Sequence, residues 1–174
     1  MIEEKREKIM QYWLMKSEPS TYSMNSLTIA QDQQGYWEGV RNYQARNFIK
    51  NDMKPGDLAF FYHSSCKNPG IMGIITLLSH GTPDPDALDP QSPYFDPKST
   101  PENPIWYGVH FQLKARWHSP LLLSDLKACP TLHDMQLLQK GNRLSVFPIT
   151  PAHWRCIIAL HTATISAPDS AESF

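Results

Sequence analysis

Between Ile105 and Trp117 the chain alternates apolar and polar residues without a break. Ile105, Tyr107, Val109, Phe111, Leu113, Ala115 and Trp117 share one parity, and Trp106, Gly108, His110, Gln112, Lys114 and Arg116 share the other. Successive side chains of a strand point to opposite faces, so a period of two predicts a long strand with one face on a core. Trp106 stands on the polar parity, where a large aromatic has no core to fill. It lies either beneath a neighbouring loop or in a binding surface.

The rest of the chain supplies partners for that strand. Tyr12–Lys16, Leu58–His63 and Ile71–Leu78 are apolar runs of strand length, and Arg143–Phe147 is a shorter one. Gly73 inside the third run predicts a bulge or a close contact. Lys54-Pro55-Gly56-Asp57 reads as a turn. Two short helices are expected at Pro120–Leu126 and Leu132–Leu138. A last helix opens at Thr150-Pro151, with Trp154, Ile157 and Ile158 towards the core. Residues 1–10 read as a charged extension, Ser20 to Gln34 as a short helix and a loop, and the chain beyond His161 as a loose tail. Neighbouring apolar strands with few βαβ units favour an α+β fold, a curved sheet or small barrel with flanking helices.

A chain of 174 residues suits a single domain, expected here over residues 11–161. Its formal net charge of −1 and 41% hydrophobic content exclude disorder and a uniformly basic nucleic-acid glue, so any nucleic-acid contact must come from a local patch. Seven prolines between Gly81 and Pro104 mark a long loop. Tyr94 and Phe95 in its middle favour packing against the body. Cys66, Cys129 and Cys156 suit neither a disulfide framework nor a zinc knuckle, and no run approaches transmembrane length. A soluble protein of the reducing cytoplasm is the expectation.

No phosphate-binding glycine loop, dinucleotide fingerprint or nucleophile elbow is present. His63-Ser64-Ser65-Cys66 lacks an acid to orient the histidine, and the seven histidines have no ligand spacing. Neither a catalytic set, a metal site nor a cofactor is expected.

The most informative site candidates lie in Trp37-Glu38-Gly39-Val40-Arg41-Asn42-Tyr43-Gln44-Ala45-Arg46-Asn47. Asn42 can cap a helix whose Ala45, Phe48, Ile49 and Met53 share one face. Gly39 permits a close backbone approach. Asn42, Arg46 and Lys50, spaced by four, line another side, and a helix start suits phosphate. From the residues alone, Trp37 reads first as a core aromatic and the cations as a solvated face.

These words, with Tyr12–Pro19, Gly56-Asp57, Phe61–Ser64, Tyr94–Lys98, Pro104–Trp106, Arg143–Val146 and Pro148, resemble the EVE domain family over roughly residues 11 to 160. His110 departs from an acidic residue usual there. The resemblance implies a PUA-like fold and a pocket similar to that of YTH domains, which recognise a modified base. It implies a non-enzymatic module binding a modified nucleobase in DNA or RNA. Trp37 and Trp106 would be the aromatic walls, with Lys16, Ser17, Val40, Asn42, His63 and Ser64 around the base. Arg41, Arg46 and Lys50 would meet phosphates. Two rivals remain at this point: an enzyme acting on nucleic acid or nucleotides in the same pocket, and a small-molecule sensor.

Overall fold

The computed structural model describes residues 9–20 and 33–166. The readings of residues 1–8, 21–32 and 167–174 lie outside them. The elements are strands β1 (Tyr12–Ser17) and β2 (Gln34–Trp37), helix α1 (Tyr43–Asn47), strands β3 (Leu58–His63), β4 (Gly70–Leu77), β5 (Thr82–Pro83) and β6 (Tyr107–Leu122), helix α2 (Leu123–Ala128), strand β7 (Val146–Ile149) and helix α3 (Pro151–Ser166). The order across the sheet is β2-β6-β4-β3-β1-β7, with β5 on β6. β1 and β3 run parallel, and the other pairs are antiparallel. The sheet is an open path, so the small barrel among the expectations does not form. Four-residue strands stand at both ends, and among the described residues each pairs with a single neighbour.

The predicted alternation is the backbone of this sheet. Val109, Phe111, Leu113, Trp117 and Leu121 are buried along β6, while His110, Lys114, Arg116 and His118 are exposed. β6 also runs past the expected helix start at Pro120: Leu121 and Leu122 pair with Ile71 and Gly70 of β4. The register shifts between Ile71 and Gly73, and Pro120 falls in this irregular stretch, where a missing N–H does not interrupt a ladder. Helix α2 therefore begins at Leu123, with the Asp125 carboxylate accepting from the Leu122 N–H at 3.0 Å. The Leu132–Leu138 stretch forms only 3-10 turns, at Pro130–Leu132 and Gln136–Leu138.

Asp57 closes the predicted turn. Its buried carboxylate accepts from the Lys54 N–H at 3.0 Å and from the Trp13 indole at 3.1 Å, linking the turn to the core. Trp13, Phe60, Phe61, Phe111 and Phe147 fill that core. Trp154 stacks on Phe60 at 3.9 Å and docks α3. The helix continues to Ser166 instead of yielding to a tail at His161. His161 stacks on Trp117 at 3.7 Å, and the Thr162, Thr164 and Ser166 hydroxyls bond carbonyls one turn back.

Asn42 caps α1 as expected, accepting from the Ala45 N–H at 3.0 Å. Ala45, Ile49 and Met53 are buried, and Phe48 is half-buried. After Asn47 the helix widens into a π turn, Phe48–Asp52. β2 was not evident beforehand, because four residues including a glycine carry too little periodicity. It places Trp37 opposite Val109 and so fixes the start of the anchor stretch on the sheet.

Candidate functional site

A cavity of about 480 Å³ opens at one end of the sheet, where β1 and β2 finish and the segments after β3 and before β7 converge. Lys16, Ser17, Trp37, Val40 and Ser64, all expected around a base, line it together. Tyr94, Arg143, Glu18 and Glu38 join them. Trp37 is only 5% exposed and meets Phe61 and Phe111 edge-on at 5.3 and 5.7 Å. It is a core residue that also lines the cavity.

Tyr94 is held against Gly39. A Cβ at Gly39 would stand 2.9 Å from the Tyr94 ring, and its φ of +78° is one that side-chain-bearing residues rarely adopt. The expected close approach is therefore real, and the proline-rich loop supplies the partner. Asp84 locks the arrangement: it is buried and accepts from the Gly39 N–H at 3.0 Å, the Asp86 N–H at 2.9 Å and Arg41 Nη1 at 2.8 Å. Arg41 also donates from Nε and Nη2 to the Tyr94 carbonyl at 3.1 and 2.7 Å. The loop over residues 81–104 is thus strapped to the anchor stretch, with Tyr94 facing the cavity.

Charge at the cavity is tuned by burial. Desolvation lowers the Lys16 ammonium from its ordinary value. It raises the Glu38 carboxyl, with Asp86 and Asp84 adding to the effect. Next to Ser64, desolvation also holds the His63 imidazole below its usual range.

Three expected pocket residues do not line the cavity. Asn42 is spent on its cap. His63 packs edge-on against Phe61 at 5.3 Å. Trp106, expected as a second wall, is 5% exposed, and its indole N–H donates to Asp96 in the proline-rich loop at 2.7 Å. The main chain crosses there too, the Asp84 N–H donating to the Trp106 carbonyl at 2.9 Å. A buried indole needs an acceptor, and the loop provides one, so Trp106 lies under the loop. Arg41, expected at phosphate, is committed to internal acceptors. Arg46 is half-buried and donates to the Ile105 carbonyl at 2.6 Å and to Asn47 at 2.8 Å. Lys50 is exposed, its ammonium 5.1 Å from the Tyr107 ring centre.

Tyr94 and Arg143 were missed as site residues. An aromatic in the middle of a long proline-rich loop was the available signal for the first. For the second it was a cation directly after the Lys140-Gly141-Asn142 turn.

An open mixed sheet with flanking helices and a cavity at its strand ends defines a PUA-like α+β domain. The chain belongs to the EVE domain family, whose model matches residues 11–160. It is 35% identical to human thymocyte nuclear protein 1, over 86% of this chain and 73% of that one. The curated relatives it matches are longer, and the chain spans 66% to 74% of their length. A crystal structure of a Pseudomonas syringae protein is similar at 46% identity, with TM-score 0.81 over 86% of this chain and 99% of that one. A crystal structure of human THYN1 in complex with DNA containing 5-methylcytosine is similar at 35% identity, with TM-score 0.81 over 87% and 97%. Among the described residues, no helix is long and apolar enough to cross a membrane.

Proposed function

We propose that this chain is a non-enzymatic reader that takes a modified nucleobase of a nucleic acid into the cavity beside Trp37. The observation that carries the reading is a cavity with aromatic walls and hydrogen-bonding groups, in a chain similar to a protein crystallised with 5-methylcytosine DNA. A base can enter only after leaving its stack, and the cost is recovered by stacking and by bonds to its edge. Trp37 and Tyr94 supply the aromatic surface. Lys16 and Ser64 supply donors, and the Ser17 hydroxyl, which donates to the Glu18 carbonyl at 3.2 Å, supplies an acceptor. DNA is the first polymer to test, with RNA the alternative, and the three free cysteines suit a reducing compartment.

One observation favours a second reading, a sensor of a free nucleoside. The charged side chains of the cavity are balanced, Lys16 and Arg143 against Glu18 and Glu38, so its rim alone does not attract a polyanion. An enzyme would need a base or nucleophile against the substrate, and His63, the candidate by type, does not line the cavity.

The test is a titration of DNA and RNA oligonucleotides with and without 5-methylcytosine, beside the free nucleosides, at fixed salt. Preference for the methylated oligonucleotide over both its unmethylated twin and the free nucleoside is expected. Equal binding of the twins, or binding of the nucleoside alone, would reject the reader. Tyr94→Ala should lower affinity for the preferred oligonucleotide by roughly tenfold.

A further inference from the structure

A stack of rings and guanidinium groups leads from the cavity to the surface. The Arg41 guanidinium carbon lies 5.4 Å from the ring centres of both Tyr94 and Trp106. Trp106 meets Tyr43 at 4.9 Å with the planes 34° apart. Arg46 stands 5.1 Å from the Tyr43 centre. Within the stack Trp106 is buried and Tyr94 and Arg41 are half-buried, but Tyr43 at the outer end is 59% exposed.

A lone exposed aromatic needs no explanation. Tyr43 differs in being held. Its helix start is capped by Asn42, its ring rests on an indole pinned by Asp96, and Arg46 beside it is pinned to the Ile105 carbonyl. A ring fixed in advance loses little freedom when something stacks on it. Lys50, four residues after Arg46 in the following π turn, is exposed with its ammonium 5.1 Å from the Tyr107 ring centre. An aromatic face bordered by cations complements a base joined to a phosphate, and the base bordering an extruded nucleotide has lost a stacking partner.

We propose that Tyr43 is a stacking platform for the nucleotide adjoining the captured base, with Arg46 and Lys50 beside the connecting phosphates. The proposal rests on the base-reader reading. It adds a second subsite that grips the strand without reading the modification, so it raises affinity and leaves discrimination untouched.

The test compares the wild type with Tyr43→Leu, which keeps an apolar cover over Trp106, and Tyr43→Phe, which keeps the ring. Each is titrated with a DNA oligonucleotide carrying one central 5-methylcytosine and with its unmethylated twin, and each is melted. Tyr43→Leu should weaken both oligonucleotides by the same factor, roughly tenfold, while Tyr43→Phe binds as wild type. Unchanged affinity in Tyr43→Leu, with the wild type still discriminating, overturns the platform and leaves the reader standing. A selective loss for the methylated oligonucleotide, or a lowered Tm that accounts for the weakening, makes Tyr43 a prop for the cavity and also overturns it. A wild type that treats the twins alike rejects the reader itself, and the platform falls with it.

Discussion

The cavity and the Tyr43 face use the same materials in opposite ways. At the cavity, Trp37 and Tyr94 are fixed by the core and by the loop, and the Lys16 ammonium and Glu38 carboxyl are partly stripped of water. At the face, Tyr43 and Lys50 stand in solvent, where electrostatics is weak and screened. Desolvated groups at fixed positions can tell one base from another, because an unmatched polar group there costs more than in water. Exposed cations and a flat ring can only hold a strand. Selectivity should therefore reside in the first region and salt dependence in the second.

The largest effect should come from Trp37, which belongs to the core and the cavity at once. Trp37→Ala removes the packing on Phe61 and Phe111 and should cost about 3–5 kcal/mol of stability. If a folded fraction survives at low temperature, it should also lose its preference for the methylated oligonucleotide. Melting and titration of the same sample separate the two losses. A variant that keeps wild-type preference would remove Trp37 from the recognition surface.

Asp84→Asn comes next, because it keeps the shape while removing the charge opposite Arg41. Truncating one partner of a fully buried pair costs about 3–5 kcal/mol, and this should cost less, roughly 2 kcal/mol, since Arg41 retains the Tyr94 carbonyl and some solvent. Tyr94 should lose its fixed position, so discrimination should fall in step with stability. Unchanged discrimination in a destabilised variant would show that the strap holds the loop without shaping the cavity.

The strap also marks where sequence reasoning ran out. The alternation of β6, the Asn42 cap, the close approach at Gly39 and the cavity position of Lys16, Ser17 and Trp37 were legible, because each follows from local pattern or from recurring words. Residue pattern left Trp106 open between the loop and a binding surface, and Arg41 was assigned to phosphate, because their partners, Asp96 and Asp84, lie in a proline-rich loop with no periodicity. Which loop carboxylate meets which donor is decided by tertiary packing. Pro120 misled for a related reason: proline opens helices and also sits in bulges, and only the register with β4 distinguishes these.

Lys50 gives a smaller effect and tests the face directly. Lys50→Ala should weaken methylated and unmethylated oligonucleotides alike, by a few-fold, and reduce the slope of log affinity against log salt by about 0.7–0.9, one phosphate contact. Stability should hardly change, since the side chain is exposed. An unchanged slope would make this an ordinary solvated surface and confine nucleic acid to the cavity.

The smallest effect concerns pH and tests the cavity end, in or beside which burial shifts Lys16, Glu38 and His63. Burial lowers His63 below its ordinary 6.5 in the fold. Its contribution to stability is therefore complete above that value and is lost as pH falls through the lowered native value, because the unfolded chain takes up the proton first. Glu38 has the opposite sign: raised above 4.5 by burial, it contributes fully below that value and loses the contribution as pH rises through its native one. His63→Gln removes the first titration and leaves the second. The stability of the wild type relative to His63→Gln should thus decline as pH falls from above to below the ordinary 6.5, while Lys50→Ala, on the exposed face, should follow the wild type throughout. Denaturant unfolding across that range supplies the measurement. A difference that stays flat with pH would mean that His63 is as readily protonated in the fold as in the unfolded chain, and that its place beside Ser64 is open to water.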